Sequence, residues 1–228
     1  MNFFERTELL LGTEGMNNLK GSSVAIFGVG GVGSFAAEAI ARVGIGKITL
    51  FDNDVVTYSN MNRQIVALTS TIGKYKTEVM RDRIADINPD AIVNIENVFY
   101  LPENADLYDL TSFSYIIDAV DTISAKIELA VRAERLGIPI ISCMGAGNKL
   151  DPVKFKIADI YETKVCPLAR IMRQHLRKYG VRHLKVVYSE EEPRKEIFSP
   201  VGSISFVPSV AGLLCASEVI KNIAGGLF

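Results

Sequence analysis

Short runs of β-branched and other apolar residues alternate along the chain with stretches in which apolar residues recur every three or four positions. The first pattern predicts buried strands and the second predicts amphipathic helices. Their alternation is typical of a mostly parallel sheet with helices on both faces, so we predict a doubly wound α/β fold. The predicted strands are Ser23–Phe27, Lys47–Asp52, Ala91–Asn97, Tyr115–Asp118 and Ile138–Ser142, and the predicted helices cover 34–43, 75–87 and 123–136.

The pattern changes after Asp151-Pro152. Phe155, Ile157 and Ile160 indicate more exposed strands, which we expect to be antiparallel, before a helix over 167–179. No repeat, low-complexity tract or long linker interrupts the chain, so we interpret residues 1–228 as one domain with an elaborated, partly antiparallel half at 151–228. The longest uncharged run, 201–217, contains Pro208 and several serines, which favours a buried helix over a membrane span.

Composition excludes some classes of protein. Hydrophobic residues make up 48% of the 228 residues and charged residues 22%, as in a soluble globular protein with a sizeable core. The net charge of −1 gives no overall attraction to nucleic acid, so any RNA contact must come from a local patch. Cys143, Cys166 and Cys215 lie far apart, and the N-terminus has no signal-peptide pattern, so we expect a cytoplasmic protein without a membrane anchor.

A glycine-rich segment joins the first predicted strand to an alanine-rich helix pattern. Its sequence is Gly28-Val29-Gly30-Gly31-Val32-Gly33. Glycines at such a junction let the backbone turn tightly and bring amide groups and a helix N-terminus against a phosphate. The segment therefore indicates a Rossmann-like, nucleotide-binding sheet, with candidate binding residues Gly28, Gly30, Gly31 and Gly33. It does not by itself separate one class of nucleotide enzyme from another.

A polar run follows the second predicted strand and narrows the class of nucleotide enzyme. A plain dinucleotide binder needs one acidic residue about 20 residues beyond the glycines, for the ribose hydroxyls, and Asp52 fits that place. The run continues through Ser59, Asn60, Asn62, Arg63 and Gln64. An arginine and several amides beside a phosphate loop suit a triphosphate that is cleaved better than a nicotinamide that receives hydride.

Together these motifs resemble a known family. The glycine loop, the D-x-D-x-V-x-x-S-N-x-N-R-Q run, Lys76 and Asp121 are similar to the adenylating fold of ubiquitin-activating-type enzymes, which includes the bacterial activators of sulfur-carrier proteins. That resemblance covers roughly residues 5–150, the expected ATP-binding half. The segments 145–152 (GAGNKLDP) and 166–170 (CPLAR) resemble one branch, the tRNA threonylcarbamoyladenosine dehydratases.

The resemblance implies a set of site residues. Adenylation joins a carboxylate to the α-phosphate of ATP, so the site needs cations, a metal and fixed donors for the charge that builds up. Arg63 offers a planar fork and Lys76 a point charge. The other implied roles are a neutral donor at Asn60, ribose binding at Asp52 beside Asp54, Mg²⁺ binding at Asp121, and an arginine, Arg6, that reaches the nucleotide of the partner in a homodimer.

Alternative interpretations remain for these residues. Arg63, Lys76 and Arg6 could be ordinary surface charges, and Asp52 could cap the following turn. Asp118 competes with Asp121 as the metal ligand, but we favour Asp121 because Asp118 lies within the predicted strand.

A basic segment supplies the local patch that net charge does not show. Residues 164–185 hold seven lysines and arginines, both histidines and no acidic residue. Apolar residues recur there at helical spacing, so one face packs and the other presents cations that suit a phosphate backbone. The alternative is a solvated face balanced by the acidic residues 190–192. The candidate tRNA-binding residues are Arg170, Arg173, Arg177, Lys178 and Arg182.

The cysteines help to separate the branches of the family. Sulfur-carrier activators commonly hold zinc with two C-x-x-C pairs, which three isolated cysteines cannot supply. Cys166 is a candidate nucleophile at a predicted helix start, or else only a small residue there. The resemblance therefore implies an ATP- and Mg²⁺-dependent homodimer that dehydrates threonylcarbamoyladenosine in tRNA and leaves open a need for sulfur-transfer partners. The alternatives are an adenylyltransferase for a ubiquitin-like or sulfur-carrier protein and a non-catalytic or NAD-binding Rossmann protein.

Overall fold

One sheet forms the centre of the molecule. The computed structural model describes residues 3–193 and 201–225, and within them seven strands pair in the order β3-β2-β1-β4-β5-β7-β6. All neighbours are parallel except β6 and β7. The strands are β1 Ser23–Phe27, β2 Lys47–Phe51, β3 Ile92–Glu96, β4 Tyr115–Asp118, β5 Ile140–Cys143, β6 Phe155–Asp159 and β7 Lys185–Ser189.

Helices cover both faces of this sheet. α2 packs against α3 and α6 on one face, and α4 packs against α5 on the other. α1 bends at Gly12, which has a left-handed φ of 70°, and α4 ends at Gly137 with a φ of 68°. Within the described residues the helices are α1 Glu5–Gly21, α2 Gly33–Arg42, α3 Lys76–Ile87, α4 Ile123–Leu136, α5 Pro167–Lys178 and α6 Phe206–Ile223.

The predicted α/β class is confirmed, with differences at its edges. α1 and β7 were not predicted; the first carries little apolar periodicity and the second follows a basic stretch. The antiparallel part is one pair, β6 with β7, because β7 also pairs in parallel with β5. Ile160 lies in a 3₁₀ turn after β6 and not in a strand.

The central strands explain why the fold places its polar residues at one edge. β1 is buried along Val24–Phe27, because helices cover it on both faces, and its sequence is accordingly a continuous apolar run. β1, β2 and β4 are mutually parallel and in register, so their carboxyl ends meet at one edge of the sheet. The glycine loop, the Asp52 run and Asp121 each follow one of these ends.

α6 is the one helix in the described part of the chain that is long and apolar enough to cross a membrane by length and composition. Its buried residues, among them Val207, Ala211 and Cys215, belong to the main hydrophobic cluster beneath the sheet. It makes its most extensive helix contact with α2, so it is built as a core helix, as the sequence predicts.

Contact between α2 and α6 depends on a missing side chain. A Cβ atom at Gly212 would lie 2.2 Å from the Val32 carbonyl oxygen and 3.2 Å from the Ala36 amide nitrogen. Since both neighbours are backbone atoms at the start of α2, neither can move away without shifting the helix that follows the glycine loop.

We expect Gly212→Ala to destabilise the fold by about 1–3 kcal/mol, the usual range for overpacking a core. Thermal unfolding should then occur roughly 2–4 °C lower for each kcal/mol lost. Gly21→Ala is the matched control, because a Cβ there meets nothing within 4 Å, and its midpoint should be unchanged or slightly higher. Equal midpoints for the two variants would contradict the close approach of α2 and α6.

Candidate active site

The glycine loop is fixed by backbone contacts that leave no room for side chains. Gly28 has a φ of 87°, and a Cβ there would lie 2.7 Å from the Ala119 carbonyl oxygen. A Cβ at Gly33 would lie 1.8 Å from the Gly28 carbonyl oxygen. The loop therefore closes tightly on itself and against the end of β4, and it delivers the N-terminus of α2 to the carboxyl edge of the sheet.

The two remaining glycines face the polar run from the second strand. A Cβ at Gly31 would lie 3.2 Å from Pro208 and 3.4 Å from Arg63, and one at Gly30 would lie 3.8 Å from Nε2 of Gln64. The structure thus brings together the two motifs that the sequence separates by some 30 positions. It also adds Pro208 of α6, which sequence reasoning did not place at the site.

Asp52 ties the two motifs together through its carboxylate. Its Oδ2 accepts a hydrogen bond from the Val29 amide at 2.7 Å, and its Oδ1 accepts one from the Asp54 amide at 2.8 Å. Burial raises the pKa of the Asp52 carboxyl above its ordinary value, although the nearby Lys76 ammonium opposes that shift. Asp52 therefore both orders the glycine loop and keeps carboxylate lone pairs for a further donor.

Lys76 and Asp54 form an ion pair beside this carboxylate. Lys76 Nζ lies 2.6 Å from Asp54 Oδ2, and the Lys76 amide donates to the Asp54 carbonyl at 3.0 Å. Lys76 is only 4% exposed although it begins α3, whereas the Asp54 side chain is exposed. A buried ammonium at the edge of the sheet, whose present partner is exposed, can form an ion pair with an anion that enters there.

The segment around Arg63 is held by its own polar groups. Arg63 Nη1 donates to the Ser59 carbonyl and to Asn62 Oδ1, each at 2.9 Å. Asn60 is buried, and its Oδ1 accepts the Thr57 amide at 3.0 Å, which leaves its amide group as a donor. Asn62 also donates to the Ser203 carbonyl at 3.0 Å and so links the run to the segment before α6.

The two aspartates after β4 have different environments. Asp118 is fully buried, and both of its carboxylate oxygens lie 3.0 Å from Lys126 Nζ. Asp121 is exposed, and its nearest polar contact is the Thr122 hydroxyl at 3.5 Å. Asp121 thus keeps its oxygens for a ligand while those of Asp118 are already engaged, in line with the preference for Asp121.

The residues present fit Mg²⁺ bound largely by phosphate. Among the residues that the structure describes, no three His, Cys, Asp or Glu side chains come together as a metal-binding group. Mg²⁺ commonly binds one or two protein carboxylates and takes its other ligands from substrate phosphates and water. The exposed carboxylate of Asp121, at the same sheet edge as the glycine loop, is consistent with that arrangement.

The basic helix α5 presents fewer free cations than its sequence predicts. Arg173 is half-buried, and its Nη1 donates to the Ile160 carbonyl at 3.3 Å and to the Thr163 carbonyl at 3.1 Å. Arg182 follows α5; its Nε lies 3.4 Å from Glu134 Oε1, but its side chain stays 83% exposed and so remains a candidate for tRNA. Arg177 stacks over the Tyr161 ring at 5.4 Å but stays exposed. The exposed face of α5 therefore consists mainly of Arg170, Arg177 and Lys178.

Cys166 and Arg6 occupy contrasting positions. Cys166 is 3% exposed at the N-cap of α5 and packs in the cluster with Met144 and Ala169. Arg6 lies in the exposed first turn of α1, next to the exposed Leu9. The thiol is thus a packed core group, and the guanidinium projects from the surface.

Gln64, which the sequence places in the polar run without a role of its own, is buried beside the glycine loop. It is 7% exposed, and its Oε1 is a buried oxygen without a hydrogen-bond partner among the described residues. Such a group usually has a reason, since burying an unpaired polar atom costs about 1–3 kcal/mol. Its position in the N-x-N-R-Q run was the available signal, and the structure adds that its Nε2 would lie 3.8 Å from a Cβ at Gly30.

Comparison with known proteins agrees with this geometry. The ThiF family profile matches residues 4–226. A tRNA threonylcarbamoyladenosine dehydratase from Bacillus subtilis is 45% identical over 96% of this chain and 94% of its own length. The crystal structure of Escherichia coli tRNA N6-threonylcarbamoyladenosine dehydratase, TcdA, in complex with ATP superposes with a TM-score of 0.90, at 34% identity, over 96% of this chain and 93% of that chain.

A protein of the alternative class matches less of the chain. The molybdopterin-synthase adenylyltransferase of Salmonella typhimurium is 33% identical over 60% of this chain and 54% of its own length. The extent of the profile match and the full-length relatives establish membership: the chain belongs to the ThiF family.

Proposed function

We propose that this protein is an ATP-dependent enzyme that dehydrates threonylcarbamoyladenosine in tRNA and closes the modification into a ring. The observation that carries the proposal is the convergence of Asp52, Arg63 and Lys76 on the glycine loop. The full-length similarity to named dehydratases supports the choice of substrate. The adenylyltransferase relative matches only 60% of the chain, which favours the dehydratase over the alternative.

The first step is the attack of the substrate carboxylate on the α-phosphorus of ATP. It forms an acyl-adenylate and releases pyrophosphate. Negative charge increases on the phosphate oxygens, where the fork of Arg63 and the buried ammonium of Lys76 stabilise it, while Asp52 holds the ribose. Mg²⁺ at Asp121 would supply further charge neutralisation on the phosphates.

The second step is attack on the acyl-adenylate by the ureido group of the same modification. Ring closure forms the new bond to the acyl carbon and expels AMP, so one water is lost overall without redox change. Because both reacting groups are tethered on one nucleoside, their effective molarity is high and the enzyme needs no nucleophile of its own. The burial of Cys166 supports this route.

We also propose that the protein acts as a homodimer in which Arg6 reaches the partner's nucleotide. Leu9 and Leu10 of α1 are about four-fifths exposed, at 81% and 80%, and Leu213 of α6 is 46% exposed. Large apolar side chains that are exposed in this way favour burial against another subunit. Arg6 lies one helical turn before Leu10, on the same side of α1. If a second subunit packs against Leu10, the Arg6 guanidinium faces that subunit as well.

The tRNA is proposed to bind along the exposed face of α5. Arg170, Arg177 and Lys178 present their charges to solvent there, and Arg177 adds a cation–aromatic pair with Tyr161. Lysines and arginines on one helix face are suited to a phosphate backbone. The second candidate function is activation of a sulfur-carrier or ubiquitin-like protein. ATP–pyrophosphate exchange separates the two: stimulation by modified tRNA supports the dehydratase, and stimulation by a small carrier protein supports the alternative.

Lys76→Ala and Arg63→Lys should each slow ATP–pyrophosphate exchange by roughly two orders of magnitude, the usual loss for one charge-stabilising donor. Arg63→Lys should fail because one point charge does not replace a planar fork. Lys74→Ala is the control, since Lys74 is exposed two residues earlier in the chain and should tolerate the change. Full exchange activity in Arg63→Lys would show that the guanidinium only packs.

Arg170→Glu should weaken tRNA binding and reduce its salt dependence without altering ATP affinity, because the contact is with phosphate. Lys20→Glu makes the same charge change on α1 and should leave tRNA binding unchanged. Fluorescence titration of labelled tRNA at several salt concentrations measures both quantities. Equal tRNA affinities for the two variants would assign the face of α5 to solvent alone.

Cys166→Ser should keep most of the dehydratase activity, because a thioester adds nothing to an acyl-adenylate that is attacked by a tethered group. Nucleoside mass spectrometry of the product tRNA measures the activity, and circular dichroism verifies the fold. A folded but inactive variant, together with a thioester trapped in the parent enzyme, would exclude the proposed second step.

A further inference from the structure

A fully buried ion pair lies directly beneath the loop that carries Asp121. Asp118 ends β4 and Lys126 lies in the first half of α4, and neither is exposed to solvent. Lys126 Nζ lies 3.0 Å from each Asp118 oxygen and 3.2 Å from the Ser142 hydroxyl, which in turn donates to Asp118 Oδ2 at 2.5 Å. We call these three residues the Asp118 cluster.

The stability of the fold does not account for two charges at these buried positions. Removing two charges from water is costly, and well-packed apolar replacements for a buried ion pair are often neutral or stabilising. Both charges also occupy positions in a sheet and a helix that are otherwise lined with apolar side chains such as Ile117 and Leu129. A buried pair of this kind is best understood by what it holds in place.

The segment it holds is the loop 119–122. Asp118 Oδ1 accepts the Val120 amide at 3.3 Å, so the carboxylate fixes the start of the loop. The backbone amide of Lys126 donates to the Thr122 carbonyl at 3.1 Å in the first turn of α4, so the ion pair with Asp118 ties the start of this helix, and with it the end of the loop, to β4. Asp121 lies between these two anchors.

The loop 119–122 also contacts the glycine loop. The Ala119 amide donates to the Phe27 carbonyl at 2.8 Å, and the Ala119 carbonyl faces Gly28 so closely that a Cβ there would lie 2.7 Å away. A shift of the loop 119–122 would therefore move Asp121 relative to the glycines that receive the phosphates.

We propose that the Asp118 cluster is a positioning device that sets the distance between the Asp121 carboxylate and the glycine loop. The residues of the cluster do not touch substrate: Asp118 acts on the loop through the Val120 amide, and Lys126 and Ser142 hold the Asp118 carboxylate in place. This inference rests on the proposed function, in which Asp121 binds Mg²⁺ together with the phosphates of ATP.

The test is the double substitution Asp118→Leu/Lys126→Met, which removes both charges together and leaves neither unpaired. Leucine offers no acceptor for the Val120 amide, and because well-packed apolar replacements for a buried ion pair are often neutral, we expect a thermal midpoint close to that of the parent. The Mg²⁺ concentration that half-saturates ATP–pyrophosphate exchange should rise about 10–100-fold, the usual effect of losing a group that orients a metal ligand. The affinity of the protein–ATP complex for Mn²⁺, measured by electron paramagnetic resonance, should fall in parallel.

The matched control is Lys185→Met/Glu218→Gln, which removes an ion pair of 2.5 Å between β7 and α6. It should leave the metal dependence unchanged. If the double variant does not fold, Ser142→Ala tests the same cluster with a smaller change. It should raise the half-saturating Mg²⁺ concentration without a large change in thermal midpoint.

A lowered thermal midpoint with unchanged Mg²⁺ and Mn²⁺ dependence, in the double variant or in Ser142→Ala, would show that the cluster serves stability alone and would overturn the proposal. The parent enzyme in the same assay decides a separate question: absence of exchange with modified tRNA would refute the proposed function. If the parent enzyme catalyses exchange and both variants keep its Mg²⁺ and Mn²⁺ dependence, only the positioning role is refuted.

Discussion

The site depends on backbone approaching backbone without intervening side chains. Gly28 meets the Ala119 carbonyl and Gly33 meets the Gly28 carbonyl at distances that exclude any Cβ. These contacts place the start of α2, the end of β1 and the loop after β4 on one another. Because carbonyl and amide groups have fixed positions once the sheet pairs, the register of β1 with β4 determines where the phosphates can bind.

Around this backbone framework the cations are already engaged by neighbouring groups. Lys76 pairs with Asp54, and Arg63 donates to Ser59 and Asn62. A nucleotide that enters such a site exchanges one set of partners for another, so its net gain is the difference between phosphate and the present partners. Because Asp54 is exposed, water can hydrate its carboxylate once Lys76 pairs with a phosphate instead, so the exchange costs little free energy.

The sequence predicted the parts of this arrangement that local patterns determine. The strand at Ser23–Phe27, the glycine loop and the Asp52 run were readable, because each has a composition that only a few structures satisfy. The engagement of Arg173 by the Ile160 and Thr163 carbonyls was not readable, since a count of charges does not distinguish a guanidinium that binds backbone from one that faces solvent. The pairing of Asp118 with Lys126 and the approach of Pro208 to Gly31 depend on tertiary packing of distant segments.

The contact between Gly31 and Pro208 has a consequence for biosynthesis. The glycine loop is made early in translation, whereas the proline that packs against it and the Ser203 carbonyl that binds Asn62 are made near the end. A nascent chain that has produced only the first half therefore contains the glycine loop and Asn62 without these two partners. The contacts that join the glycine loop and the Asp52 run to α6 can form only after the segment 203–208 has left the ribosome.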